Sequence, residues 1–487
     1  MAEDVAQQGV DADQQNTFAQ TPLKANAIGL PGVLMTGVTN IAPAIAGLFT
    51  IPFIALNAGI SAPLAYVGAF IIALMLGTVL AQLTRHMTSA GTYYTFVSRT
   101  LGGQAGFLVG WVYLLFYPIV VAQVGSFMGD TLHGVLLARY NINFPWWIFM
   151  IFLILFVFYT SWRGIELSSS VIIVLGCFEI AVCLLLALFG LFDPGKGGTT
   201  LSWLNPGHAP SSHGFFLAIV FAIFAINGWD AEAALGEESR DPKRIIPRGI
   251  LGAIIMLGVF LVIVSWGQLS GWGTANINSF ISSSQLPALV LGQKYWGWGW
   301  WFVLLALLNS ALAVSIVCQN VSARIFFALG RSGSFSQRLA KVHPKYKTPS
   351  NAIWLQTAVN AVLGLLLPFA IGVANVYNVT GTMFTFAAIP VYCAANLGVF
   401  FLYRRSHPNE FNVLYHVIFP LVSSVALIVV GYESLRPLPA WPIVLAAPIV
   451  AVWLVIGIVV LVGMIRSGRK EWLAKIHPDD RARLGKT

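Results

Sequence analysis

Hydrophobic residues in this 487-residue chain come in long, nearly unbroken runs rather than in the alternation of a half-buried strand. A helix needs about 20 apolar residues to cross the hydrocarbon core of a bilayer. That ruler predicts twelve spans, over 28–56, 61–83, 104–130, 144–161, 166–192, 213–236, 249–271, 297–323, 350–370, 375–402, 411–432 and 440–465. The expected class is therefore an all-α membrane protein. The first span is unusually long, and the sixth ends in a polar run, Glu237-Glu238-Ser239-Arg240.

Composition agrees with the pattern. Hydrophobic residues make up 57% of the chain and charged residues 9%, and the mean hydropathy is +0.78. Ordinary soluble domains carry about 25% charge. A soluble protein this poor in charge would expose one large apolar patch, which excludes most soluble enzymes, nucleic-acid binders and secreted modules. The net charge of +9 has a topological explanation. Every Lys and Arg falls in a predicted loop or tail. All but Arg139, Lys196, Lys294 and Arg436 fall on the same side as the N-terminus. Both termini are thus expected in the cytoplasm, the basic tail over 467–487 is expected to be drawn to anionic lipid, and no nucleic-acid partner is needed. The acidic, Gln-rich tail over 1–26 lacks a signal peptide's basic start and is expected to be disordered. The four cysteines lie in apolar stretches without CxxC spacing and read as packing residues.

Acids inside a membrane are costly and therefore functional candidates. Glu179, Asp230 and Glu232 lie well inside predicted spans, Asp130 lies near the end of one, and no Lys or Arg lies deep in any span to neutralise them. Such a carboxyl can gain and lose a proton. Span one reads GVLMTGVTNIAPAIAGLF, with Thr39, Asn40 and Pro43 at its middle; span six reads FAIFAINGWDAEAALGEE, with Asn227 and Gly228 followed by Trp229 and Asp230. Irregular backbone at membrane depth survives where it lines a cavity. Two interrupted spans five apart point to an inverted-repeat transporter, with repeats over about 27–192 and 213–403 in a core over 27–403, and two further helices within 404–466. Both breaks are expected to be real, near Thr39–Pro43 and Ile226–Trp229. Asp230 would begin an inner half-helix, either capping it or meeting an ammonium group, with the cap preferred.

Four stretches resemble the amino acid–polyamine–organocation permeases: Ser89–Trp111, Phe221–Ile250, Ser322–Gln356 and Tyr403–Phe411. They keep that family's order and spacing over nearly the whole chain. The resemblance implies a LeuT-like fold of 5+5 inverted repeats plus two helices, alternating access, and a substrate site among spans one, three, six, eight and ten. Relatives hold a substrate carboxylate on a Gly-Ser-Gly-like segment of span one. Here the stretch is Val38-Thr39-Asn40-Ile41-Ala42-Pro43, polar but without those glycines, so an amine or an unusual amino acid stays open. The implied site comprises Thr39, Asn40, Ile41, Ala42, Phe116, Tyr117, Asn227, Gly228, Trp229 and Asp230. Glu179 falls where proton-coupled relatives place a lysine, with Asn309 and Ser310 as weaker lining candidates. Glu237 and Glu238 would belong to the cytoplasmic gate, with basic partners nearby.

The expected function is a secondary transporter for an amino acid or related amine, with proton symport preferred over exchange. Its partners would be that small molecule, protons and membrane lipid. A nutrient receptor on the same fold is disfavoured by the short tails. An enzyme is disfavoured because the sequence shows no metal-ligand spacing, GxSxG or phosphate loop; no cofactor or metal is expected, and the eight histidines lie scattered.

Overall fold

The computed structural model describes residues 23–436 and 438–466. All but the last four residues of the tail over 1–26 lie outside them, as does the whole basic tail over 467–487. Among the described residues, twelve helical segments are long and apolar enough to cross a membrane. Span one covers 30–58, built of Leu30–Asn40, Ile45–Phe49 and Ile51–Ala58, and a turn leads to span two, Ala62–His86. Spans three to seven are Gly103–Tyr140, Trp146–Arg163, Ile165–Phe192, Ser212–Leu235 and Pro242–Trp272. Spans eight to ten are Trp301–Ser332, Ser350–Ile371 and Val373–Arg405. Spans eleven and twelve are Leu414–Glu433 and Ile443–Arg466.

Local chemistry marks the ends. Pro31, Pro63 and Pro242 sit in first turns, where a missing N–H costs nothing. Arg85, Arg163, Arg331 and Arg404 sit in last turns, where the helix dipole favours a cation. The four arginine-bearing ends, each closing an even-numbered span, share one face of the bundle, called the basic face below. Several helices outrun the apolar ruler. Span three reaches Tyr140 rather than 130, span seven starts at Pro242 rather than 249, and span eight reaches Ser332 rather than 323. The ruler measures the apolar layer, whereas a helix runs on until the backbone turns left-handed, as at Asn141 (φ 53°) and Gly333 (φ 82°). Arg324 is thereby drawn into span eight and is almost fully buried.

Span two packs along span seven, span seven along spans one and five, and span eight along spans five, three and four. Span ten packs on span three and carries span eleven on its other side. The buried core is centred on spans one, two, three, six, seven, eight and ten. Exposed large apolar side chains crowd the rim: Phe152 and Leu155 of span four, Val174 of span five, Leu366 and Phe369 of span nine, Ile428 of span eleven and Val459 of span twelve. That is the surface lipid requires.

Span three is also broken, which the sequence did not announce. Its first helix ends at Tyr113, and a 3-10 turn over Tyr117–Ile119 precedes the helix Val120–Tyr140. Pro118 in this turn has no N–H to donate. The Pro118 carbonyl accepts from Gln356 Nε2 of span nine at 3.1 Å. Gln356 also donates to Asn360 Oδ1 (2.7 Å), and Asn360 donates to Gln319 Oε1 (2.7 Å). A buried acceptor left alone costs about 1–3 kcal/mol. Gln356→Leu leaves the Pro118 and Asn360 acceptors unpaired while removing the unpartnered Gln356 Oε1, so the purified protein should lose about 1–3 kcal/mol of stability in detergent unfolding; an unchanged unfolding midpoint would mean that the network contributes nothing.

Candidate functional site

The helix of span one stops at Asn40, and that of span six stops at Ile226. Pro43 cannot continue the hydrogen-bond ladder, and Ala42 takes a left-handed φ of 57°. In span six, Asn227 is extended and Gly228 has φ 133°, a conformation that favours glycine. The breaks touch. A β-carbon on Gly228 would lie 2.9 Å from both Nδ2 and the backbone oxygen of Asn40. Asn40 Nδ2 donates to the Gly228 carbonyl at 2.6 Å and to Tyr117 Oη at 3.2 Å, and Asn40 Oδ1 accepts from the Cys318 thiol at 3.3 Å. Cys318, read from sequence as packing, is thus a contact of the site.

Asp230 is fully buried. Its carboxylate accepts from Tyr117 Oη at 2.5 Å and from Tyr113 Oη at 3.0 Å. The expected capping role is therefore corrected: Asp230 makes no side-chain cap, and the segment after it is a five-residue 3-10 helix, Ala231–Leu235, rather than an α-helical half. Two phenols from span three take the carboxylate instead of the N–H groups of the following turn.

A cavity of about 70 Å³ lies between the breaks. Asn40, Ile41, Ala42, Tyr117, Asn227 and Gly228 of the expected site line it, joined by Gln123, Cys318 and Tyr377. The other four expected residues stand behind the wall. Thr39 turns its hydroxyl back to the Met35 carbonyl. Phe116 packs on Phe384, with ring centroids 4.0 Å apart. Trp229 stacks on Tyr392 at 5.9 Å, so it supports the site without walling it. Asp230 lies below Tyr117. Tyr392 Oη in turn donates to Asn227 Oδ1 at 2.7 Å.

Glu179 of span five reaches the span-one break. The Ala44 N–H, freed by that break, donates to Glu179 Oε2 at 3.2 Å. Ser310 of span eight lies beside this carboxyl. Asn309 instead donates to the Leu175 carbonyl at 2.7 Å and braces spans eight and five together. Further along span one, Ala46 O accepts from Tyr66 Oη at 2.9 Å and Gly47 O from Gln268 Nε2. Tyr66, Tyr113, Gln123, Gln268, Tyr377 and Tyr392 were not singled out in sequence. The available signal was a Tyr or Gln deep in an apolar run, where its polar end must find a partner.

Toward the basic face the segment after span six is clamped. Glu238 Oε2 pairs with Arg324 Nη2 at 2.5 Å, and Glu237 Oε1 with Arg331 Nη2 at 2.6 Å. The Glu238 carbonyl accepts the N–H groups of Ala27 (2.8 Å) and Ile28 (3.1 Å) at the start of span one. Burial pushes the Glu238 carboxyl up, against the pull of Arg324. Burial also raises Glu237, but the hydrogen bonds and charge of Arg331 outweigh it and hold that carboxyl below the usual glutamate range. On the opposite side Phe49, Phe127 and Tyr377 pack at 4.1–5.5 Å, beside a second, more apolar cavity of about 340 Å³ that reaches Glu433 and Arg436. The histidines are less scattered than the sequence suggests: His86, His407 and Glu410 converge at the basic face with ligand atoms within 4.8 Å of one another. Chain folding, which sequence spacing cannot display, brings these three side chains together.

Removing one partner of a buried ion pair costs about 3–5 kcal/mol, because the other charge stays buried. Arg324→Met should destabilise the protein by that amount, and adding Glu238→Leu should restore most of it, both read by unfolding in detergent. Glu237 is depressed in the folded state, so its contribution is full above the unfolded glutamate range near about pH 4.3 and is lost as pH falls through the lower folded value. Arg331→Met should flatten that acid-side loss.

Residues 28–469 match the family described as "Amino acid permease". The chain is 27% identical over 348 residues to the low-affinity putrescine importer PlaP of Escherichia coli (strain K12), covering 69% of this chain and 72% of that one. It is 26% identical over 357 residues to the branched-chain amino acid permease BcaP of Bacillus subtilis (strain 168), covering 69% and 74%. It is 23% identical over 303 residues to the serine/threonine exchanger SteT of the same organism, covering 60% and 65%. The match over nearly the whole chain, the twelve spans and the paired broken helices lead to one conclusion: this chain belongs to the amino acid permease family, among the amino acid–polyamine–organocation permeases.

Proposed function

We propose that the chain is a secondary active transporter that carries an amino acid or a related amine across the cytoplasmic membrane by alternating access, coupled to protons. The basic face is cytoplasmic in this reading, following the one-sided distribution of Lys and Arg. The observation that carries the reading is the contact between Glu179 and the freed Ala44 N–H. A deep carboxyl with no basic partner among the described residues touches the backbone that bends beside the cavity, so its protonation and the shape of the site are linked.

The donors at the break support the amine end of the substrate class. The Ile41 N–H goes to the Gly37 carbonyl, the Ala42 N–H to the Thr39 carbonyl and the Ala44 N–H to Glu179, while Pro43 has none. A substrate carboxylate finds these donors taken. An ammonium group finds the Tyr117 hydroxyl, with Asp230 behind it, and aromatic rings. The likeness to a putrescine importer points the same way. Exchange is the second reading, supported by the likeness to a serine/threonine exchanger.

The energies suffice for symport. An ionised acid at the centre of a membrane helix costs about 2.5–3.5 kcal/mol, so Glu179 stays neutral until water reaches it. A proton moving down a 100 mV potential supplies about 2.3 kcal/mol. Substrate accumulation requires about 1.4 kcal/mol per decade. Glu179→Gln should mimic the loaded state: substrate binding and exchange persist, whereas acid-driven accumulation in substrate-free vesicles is lost. Accumulation at the wild-type level, with an unchanged pH profile, would reduce Glu179 to a packed neutral acid and leave exchange as the better reading.

A further inference from the structure

We infer that Glu232 is a second proton-binding site, one that is loaded in this closed arrangement and empties to the basic face when the inner half of span one moves away. The inference rests on the proton-coupled reading above but concerns a different residue and a different step.

Glu232 sits in the turn Ala231–Leu235 and is fully buried. Among the described residues, no other residue donates a hydrogen bond to either carboxyl oxygen; only its own backbone N–H lies beside the group. The carboxyl lies flat against Gly37 of span one; a β-carbon on Gly37 would overlap Glu232 Oε1 and stand 2.7 Å from Oε2. Gly37 is therefore the lid over the acid, and only a residue without a side chain leaves it room. The turn packs against the inner half of span one, span seven and span eight. The inner half of span one, Leu30–Asn40, brings no titratable group. Span seven brings Lys243, Arg244 and Arg248, all exposed at its end. Span eight brings Arg324, which Glu238 and the Asn320 carbonyl already hold, and Cys318, which is bound to Asn40. Asp230, just before the Ala231–Leu235 turn, and Tyr93 are the remaining titratable neighbours; a charge on Asp230 disfavours a second one on Glu232, and Tyr93 is a neutral phenol that supplies no counter-charge. An ionised carboxyl with no counter-charge and no donor from another residue does not persist in such a place. The neutral acid does.

The geometry also gives the release step. Glu179 touches Ala44 beyond the break, and Glu232 touches Gly37 before it. Each half of span one therefore shields one acid. When Ala27 and Ile28 leave the Glu238 carbonyl and Gly37 leaves Glu232, water reaches the carboxyl, the O–H bond breaks, and the proton passes to that water, leaving the carboxylate. Return of Gly37 requires a proton to be taken up again. Glu232 does not line the cavity, so substrate affinity is not expected to change with it.

Two measurements test this. In infrared difference spectra of purified protein in nanodiscs at neutral pH, wild type should show a protonated-carboxyl C=O band that Glu232→Gln lacks; absence of that difference overturns the proposal. In membrane vesicles with the outer pH fixed and the basic-face pH lowered, wild-type uptake should fall by up to about tenfold per pH unit once the carboxyl is mostly protonated, the slope of one titrating group. Glu232→Gln should lose this dependence while binding substrate normally. Should that variant fail to fold, the wild-type profile decides, since a flat profile contradicts release at Glu232. Inner-pH dependence that survives unchanged in Glu232→Gln also overturns the proposal, even where outer-pH dependence upholds proton coupling. Inner-pH dependence without outer-pH dependence supports Glu232 and sinks the role given to Glu179.

Discussion

A backbone that stops being helical inside a membrane frees N–H and C=O groups that lipid cannot satisfy. That constraint organises this protein. Asn40 answers it between the two central breaks, donating to the Gly228 carbonyl and to Tyr117. Glu179 takes the Ala44 N–H, Tyr66 and Gln268 take the carbonyls of Ala46 and Gly47, and Gln356 takes that of Pro118. Each donor or acceptor comes from a different span. The irregular segments are therefore held by side chains, and side chains can exchange partners when a substrate or proton arrives.

This arrangement explains why so few residues decide so much. Tyr117 donates to Asp230 and accepts from Asn40, so one hydroxyl joins spans one, three and six. The Glu238 backbone holds the start of span one while its side chain holds span eight. The cavity is small because these links draw the broken segments together. Opening it toward the basic face means undoing the Arg324 and Arg331 pairs as well as the backbone bonds of Ala27 and Ile28.

Much of this was legible in the sequence. Twelve apolar runs specify twelve spans, since few other structures can hide so much apolar surface. Pro43, Asn227 and Gly228 are chemically wrong for a continuous apolar helix, and both breaks occur there. Glu179 stood out because nothing near it in sequence could neutralise it. The span-three break was harder to read: Pro118 alone resembles a common kink, and its answer, Gln356, lies far away in sequence. The fate of Asp230 was misread for the same reason. Its local sequence suits a helix cap, but Tyr113 and Tyr117 reach it across more than a hundred residues, and such a meeting depends on helix rotation. Arg324 and Arg331 became partners of Glu238 and Glu237 only because span eight outruns its apolar stretch.

The claim on which the rest depends is that the paired breaks form the substrate site. A structure determined with bound substrate tests it most directly. Ligand density is expected between Asn40–Ala42 and Asn227–Gly228, against Tyr117, with at least one of the Asn40 hydrogen bonds exchanged for a bond to the ligand. Density confined to the apolar cavity near Phe53 and Arg436, with the Asn40–Gly228 bond intact, would contradict it.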